Sequence, residues 1–307
     1  MLTIGQERAM PTKIDAGQDV CTLTFTANEE CLVTGGNRGV GVWRVKDGKR
    51  VARMETNYVH SLAASKNGRW IAAGTFGKLL VWDAETYEQV LKHEEGYHVR
   101  GIDFSPDSTR LVVGTNKTAI VWDLATGKQV QTLHHKNYVI AAKYSQRGDR
   151  IATTDRNGPV RVWDSNDGRL LVDIDVKVNP EFNTGLLWFN EHLFVLSNKK
   201  IEEFDAFAGS KVLEWPVSDT NFYSCIALPK HKQFIAFSAK RTVTFWDTST
   251  HNQLPLTLKH HEDIRSIAFS PDDRILAIGG GWRTTLSPVS SVMLGYIVSE
   301  QFYRPSI

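Results

Sequence analysis

The chain has 307 residues, 41% of them hydrophobic and 23% charged, with 36 basic against 34 acidic side chains and a net charge of +2. That is ample material for a large apolar core and far less basicity than a phosphate backbone demands, so a disordered tail is excluded and no nucleic-acid partner is expected. No run approaches the roughly 18 apolar residues of a membrane span, and the first sixteen residues hold no signal-like apolar stretch, so neither a membrane nor secretion is expected.

In chain order, residues 11–14 form a short apolar and polar segment at the offset where an outer strand belongs, and the regular pattern begins at Val20. From there an aromatic residue, usually followed by Asp, recurs as Trp43-Arg44, Trp82-Asp83, Trp122-Asp123, Trp163-Asp164, Phe204-Asp205 and Trp246-Asp247, in steps of 39, 40, 41, 41 and 42 residues. Ahead of each anchor stand an apolar strand, a polar turn, a second apolar strand, a short turn and an alternating third strand. The third repeat shows it best: residues 99–104, the turn Ser105-Pro106-Asp107-Ser108, residues 111–114, then 118–122. After the anchor Ala125-Thr126-Gly127-Lys128 turns the chain into a fourth strand at 129–133. A seventh unit opens with residues 264–269, the Ser270-Pro271-Asp272-Asp273 turn and residues 275–279, and then breaks off. The tail 282–307 lacks the anchor. Residues 292–298 are the candidate substitute for its third strand, with irregular packing as the alternative.

Turn signals every 8 to 12 residues, without helical periodicity, leave an all-β sandwich, barrel or propeller. The fixed step of about 40 residues selects a propeller, because each unit must bury its faces against its neighbours. The Trp-Asp pairs, the two Ser-Pro-Asp turns and the His residues ahead of first strands resemble WD40 repeats over nearly the whole chain. The resemblance implies an all-β, seven-bladed β-propeller of four-stranded antiparallel blades, with an atypical seventh blade. It also implies that residues 1–16 supply the closing outer strand, with the propeller over 17–281 and the divergent tail at 282–307.

The family often carries a buried hydrogen-bond chain of Asp, His, Ser or Thr, and Trp. Where Asp is expected, six residues before each anchor, stand Asn37, Phe76, Asn116, Asn157, Asn198 and Lys240. The most complete set is His135, Thr153, Asn157 and Trp163, and His260 holds the matching place in blade seven.

No catalytic motif is present. Residues 74–78 have neither the spacing nor the Ser or Thr of a phosphate loop. The histidines of 93–98 are five apart and could not share a helix face, and the glycines of 35–41 lie between strands. Three cysteines, Cys21, Cys31 and Cys225, without CxxC spacing suggest free thiols in a reducing compartment. Neither enzyme activity nor a metal or other cofactor is expected. The expectation is a scaffold, monomeric by itself and cytoplasmic or nuclear, that binds a protein or peptide. The alternatives are an enzyme with a central-channel site or the sensor array of a larger modular protein.

The resemblance places the partner face at the loops joining each outer strand to the next inner strand. Residues flanking Val20, Val59, Val99, Val139, Thr184, Tyr223 and Ile264 line the channel mouth there. Aromatics and Arg carry most interface energy, which nominates Tyr58, His60, His98, Arg100, Tyr138, Phe222, Asp263 and Arg265 as partner-binding residues. The competing role is to plug the channel. Blade five places extra chain, residues 177–183, on the same face.

Overall fold

A computed structural model describes residues 12–176, 178, 185–197, 199–217, 224–230, 234–281 and 291–296. Regular structure among them is all strand, arranged in seven antiparallel sheets. Blade one spans residues 20–54, blade two 59–98, blade three 101–134, blade four 139–174, blade five 186–216 and blade six 225–259. Blade seven combines Ile264–Phe269, Ile275–Gly280 and Ser291–Tyr296 with Thr12–Asp15, in that order from the centre outward.

Each blade's second strand is buried from its second residue on, Arg110–Gly114 from Leu111, because both of its faces meet neighbouring blades. Outer strands alternate, and Gln253–Lys259 switches between exposed and half-buried at every step, because one face meets water. In blade two the middle limbs are one continuous strand, Trp70–Asp83, which folds back at Phe76-Gly77 so that the Ala84 N–H donates to the Arg69 carbonyl at 2.8 Å.

Neighbouring blades are stapled by backbone. The N–H groups of Val99, Val139 and Ile264 donate to the Thr75, Thr115 and Lys240 carbonyls of the preceding blade at 2.7 to 3.0 Å. The inner strand of blade three runs Gly101–Phe104 and begins two residues after Val99, whereas those of blades four and seven begin at Val139 and Ile264. A side chain on Gly114 would lie 2.9 Å from Val139 Cγ1, and one on Gly279 would lie 2.6 Å from Val20 Cγ1, so glycine permits the approach of blade three to four and of blade seven to one. The seam between blades seven and one also carries a bond from the Leu23 N–H to Ser266 Oγ at 3.2 Å.

The aromatic-Asp anchor has a local cause. Asp83, Asp164 and Asp205 each accept backbone N–H groups two and three residues on, which ties the turn into the outer strand. Those bonds hold all three carboxyls below the usual range. The outer strand enters with a register shift at the anchor in blades one to six, between Val121 and Trp122 in blade three.

The buried network of blade four differs in one member from the expected set. Trp163 Nε1 donates to Thr153 Oγ1 at 2.6 Å, and His135 Nε2 lies 2.9 Å from the same oxygen. The acid is Asp155, not Asn157. Its Oδ2 accepts the Lys136 and Asn137 N–H groups and lies 3.4 Å from His135 Nδ1, while Asn157 turns the chain at φ 61°. Arg161 donates to His135 Nδ1 at 2.9 Å, which leaves the proton on Nε2. Burial first, and the Arg161 charge second, depress His135 to about 4.

In blade seven the register puts Ile278, Gly280 and Gly295 where blade four has Thr153, Asp155 and Trp163. Among the described residues His260 Nε2 accordingly meets no partner.

Candidate functional site

The inner strands of blades one, two and seven share an irregularity that blade four also carries, at the buried Ile140. Pairing to the second strand skips one residue between Val20 and Thr22, between Val59 and Ser61, and between Ile264 and Ser266. The skipped residues are Cys21, His60 and Arg265. A bulge re-aims the side chain it carries, and these three converge at one end of the ring. Arg265 donates through one guanidinium nitrogen to Cys21 Sγ at 3.1 Å and to Tyr58 Oη at 3.0 Å, and the Cys21 thiol donates to the same phenol oxygen at 3.0 Å. Three blades are thereby joined by side chains 207 and 244 residues apart. Burial, with the nearby Cys21 sulfur, pushes the Tyr58 phenol up to about 12, and burial raises the Cys21 thiol. This part of the mouth is a closed plug of neutral sulfur and phenol around one fixed cation.

The arc continues through rings. Tyr58 and His60 lie 4.9 Å apart between centroids, and His60 and His98 lie 4.7 Å apart with His60 Nε2 2.8 Å from His98 Nδ1. That single hydrogen bond requires a bare nitrogen on one ring. Burial depresses His60 to about 4, helped by the His98 and Arg100 charges. His98 is also lowered, by burial and then by Arg100. Phe76 packs edge-on against His98 at 4.4 Å, and Tyr97 lies 6.4 Å from Tyr138.

Exposure divides the nominated residues. Arg265 is buried and Tyr58, His60, His98 and Arg100 are half-buried, whereas Tyr138 is 41% exposed. Asp263 stands apart, with Oδ1 3.6 Å from Arg241 Nε, beside a cavity of about 390 Å³. Phe222, Tyr223 and the extra chain 177–183 of blade five lie outside the described residues, except Val178, which bridges to Ser197. The sequence reading missed two exposed aromatics, Phe76 at 57% and Tyr97 at 48%. Phe76 stood out only as the odd residue in the turn series, and Tyr97 lay one place outside the aligned columns.

A second concavity of about 420 Å³ opens between blades four and five among Gln146, Arg150, Trp188 and Phe207. Its charges are engaged within it. The Arg150 guanidinium lies 3.6 Å over the Phe207 ring, and Arg147 pairs with Glu191 at 3.5 Å. Among the described residues no three His, Cys, Asp or Glu side chains could hold a metal ion.

The model of the WD domain, G-beta repeat family matches residues 86–123, 127–164 and 252–286. The first two matches end at the anchors Asp123 and Asp164. The chain is a seven-bladed β-propeller that carries WD40 repeats. Periodic tryptophan protein 2 of Arabidopsis thaliana is 26% identical over 281 residues, covering 85% of this chain and 30% of that protein. The serine-threonine kinase receptor-associated protein of Dictyostelium discoideum is 27% identical over 65% of this chain and 68% of its own length. Protein groucho of Drosophila melanogaster is 24% identical over 86% of this chain and 38% of its own. The chain therefore spans under a third of the first of these relatives. A chain in the crystal structure of the mitotic checkpoint complex superposes with a TM-score of 0.80 over 96% of this chain and 97% of that one, at 17% identity, which is a likeness of fold.

Proposed function

We propose that this WD40 propeller is a non-catalytic scaffold that binds a peptide or protein segment across the channel-mouth face, through blades two to four. The observation that carries the reading is the exposure of Phe76, Tyr97 and Tyr138, Phe76 against His98 and Tyr97 near Tyr138, on a ring whose backbone is stapled blade to blade. Large aromatics held rigidly at a surface lose little entropy on contact, and Arg adds a planar fork for carboxylates or backbone carbonyls. The buried plug of Cys21, Tyr58 and Arg265 supports this face from below.

The test compares capture of the native partner by the unaltered chain and by Tyr138→Ala and Arg100→Ala. Each should weaken capture roughly thirtyfold, about 2 kcal/mol, with the melting temperature nearly unchanged. Lys66→Ala, in a turn at the opposite end of blade two, should change neither measurement. Capture that survives both mouth variants, or that is lost only with the Lys66 turn, overturns the assignment.

A further inference from the structure

We infer that the segment bound at this mouth is acidic, its carboxylates received by Arg100, Lys117 and Lys136 and its apolar side chains by Phe76, Tyr97 and Tyr138. The inference rests on the docking reading above and names the partner's chemistry.

The three cations stand at the start of blade three, in its turn at Lys117, and at Lys136 two residues ahead of the exposed Tyr138. Lys117 sits at a turn tip in the left-handed conformation, φ 60°, and its carbonyl accepts the His135 N–H beside Lys136. Arg100 lies close enough to His60 and His98 for its charge to disfavour protonation of both. Among the described residues no carboxylate lies within ion-pair distance of any of the three. Some basic residues elsewhere are partnered: Lys78 and Lys92 share Glu94 at 3.8 and 3.0 Å, and Lys200 meets Glu214 at 2.7 Å. The one carboxylate beside Lys136, that of Asp155, is buried and turned inward to His135 and Arg161.

The same charge sign recurs around the rim. The turn between the second and third strands carries Arg38, Lys78, Lys117, Arg156, Lys199 and Arg241 in blades one to six. Within this series Lys78 meets Glu94 at 3.8 Å and Arg241 meets Asp263 at 3.6 Å, so the positive field of the rim comes from residues such as Lys117 that meet no carboxylate among the described residues. Such a field favours an anionic partner and raises its rate of encounter. Three large exposed aromatics favour a polypeptide with apolar side chains over a bare polyanion.

Fluorescence anisotropy on the full chain tests the inference with three labelled probes. These are a peptide alternating glutamate and tyrosine, the same peptide with glutamine in place of glutamate, and a strand of fifteen deoxythymidines. The glutamate peptide should bind at least about tenfold tighter than the glutamine peptide and weaken several-fold as salt rises from about 50 to 200 mM. Lys117→Glu and Lys136→Glu, both at exposed turn positions, should each weaken it about tenfold with unchanged circular dichroism. Arg100→Lys should keep part of the affinity that Arg100→Ala loses.

Equal affinity for the glutamate and glutamine peptides overturns the inference. Tighter binding of the deoxythymidine strand than of the glutamate peptide also overturns it, in favour of nucleic acid. If the peptides are not distinguished while Tyr138→Ala still abolishes capture of the native partner, the docking face stands and its partner is not acidic. If Tyr138→Ala leaves capture intact, the face itself falls.

Discussion

Replacing Thr153 by valine keeps the side-chain shape and removes one oxygen. That oxygen accepts from Trp163 Nε1 at 2.6 Å and is 2.9 Å from His135 Nε2, which carries the proton because Arg161 donates to the other ring nitrogen. Trp163 and His135 are buried, so Thr153→Val strands two donors in an apolar interior. A stranded buried donor costs about 1 to 3 kcal/mol, and the pair should cost about 3 kcal/mol after local relaxation. Thr34 occupies the same register position in blade one, but only Trp43 Nε1 donates to it, at 2.8 Å. Thr34→Val should therefore cost about half as much. Urea unfolding reads both, as a lowered midpoint with an unchanged slope. A loss below about 1 kcal/mol for Thr153→Val, or one no larger than that of Thr34→Val, would refute the two-donor network.

The converse substitution should stabilise: Val113 stands where Thr34 and Thr153 do, and Trp122 Nε1 is buried without a partner among the described residues. Val113→Thr should add about 1 kcal/mol, and a loss in the urea midpoint would sink that reading. Ile14 is 1% exposed and packs with Val292, Val20 and Trp43, so Ile14→Ala should cost about 3 kcal/mol in the same assay; a variant that melts with the unaltered chain would show that the outer strand of blade seven is dispensable. His60 and His135 are both depressed to about 4, so the unfolded chain binds more protons between about pH 6.5 and 4. Stability should be full above about pH 6.5 and fall as pH drops towards 4, with a shallower fall in His60→Gln; a urea midpoint that holds steady or rises on acidification contradicts it.

The repeat was legible because its anchor does a local job that no other residue pair does as well. The aromatic fills the core between blades, and the Asp after it caps the next turn with its own carboxylate, so both letters recur at fixed spacing. The buried acid of blade four was not legible. Asp155 stands two residues ahead of the expected position, and only tertiary packing shows that its carboxylate turns back to His135. The mouth was half legible. Columns of aligned residues pointed to Tyr58, His60, His98, Arg100 and Arg265, but alternation along a strand could not say which would be covered. The bulges at Cys21, His60 and Arg265 break that alternation, and the contact joining Cys21 to Arg265 spans nearly the whole chain. Phe76 and Tyr97 escaped because they lie where the pairing of Trp70–Asp83 with Gln89–His98 shifts register, between Phe76 and Lys78, and there alternation carries no information about facing.

The last blade takes its outermost strand from the front of the chain, and the direction of that pairing has a mechanical meaning. Thr12 lies opposite Leu294 and Asp15 opposite Ser291, antiparallel. Thr12 and Tyr296, where the chain enters and leaves this ladder, therefore stand at the same end of it. Tension applied to those two exits loads the pairs one after another, starting from Thr12, instead of shearing all of them at once. A pull on the ends should open the ring at this seam at low force while the other six blades remain paired.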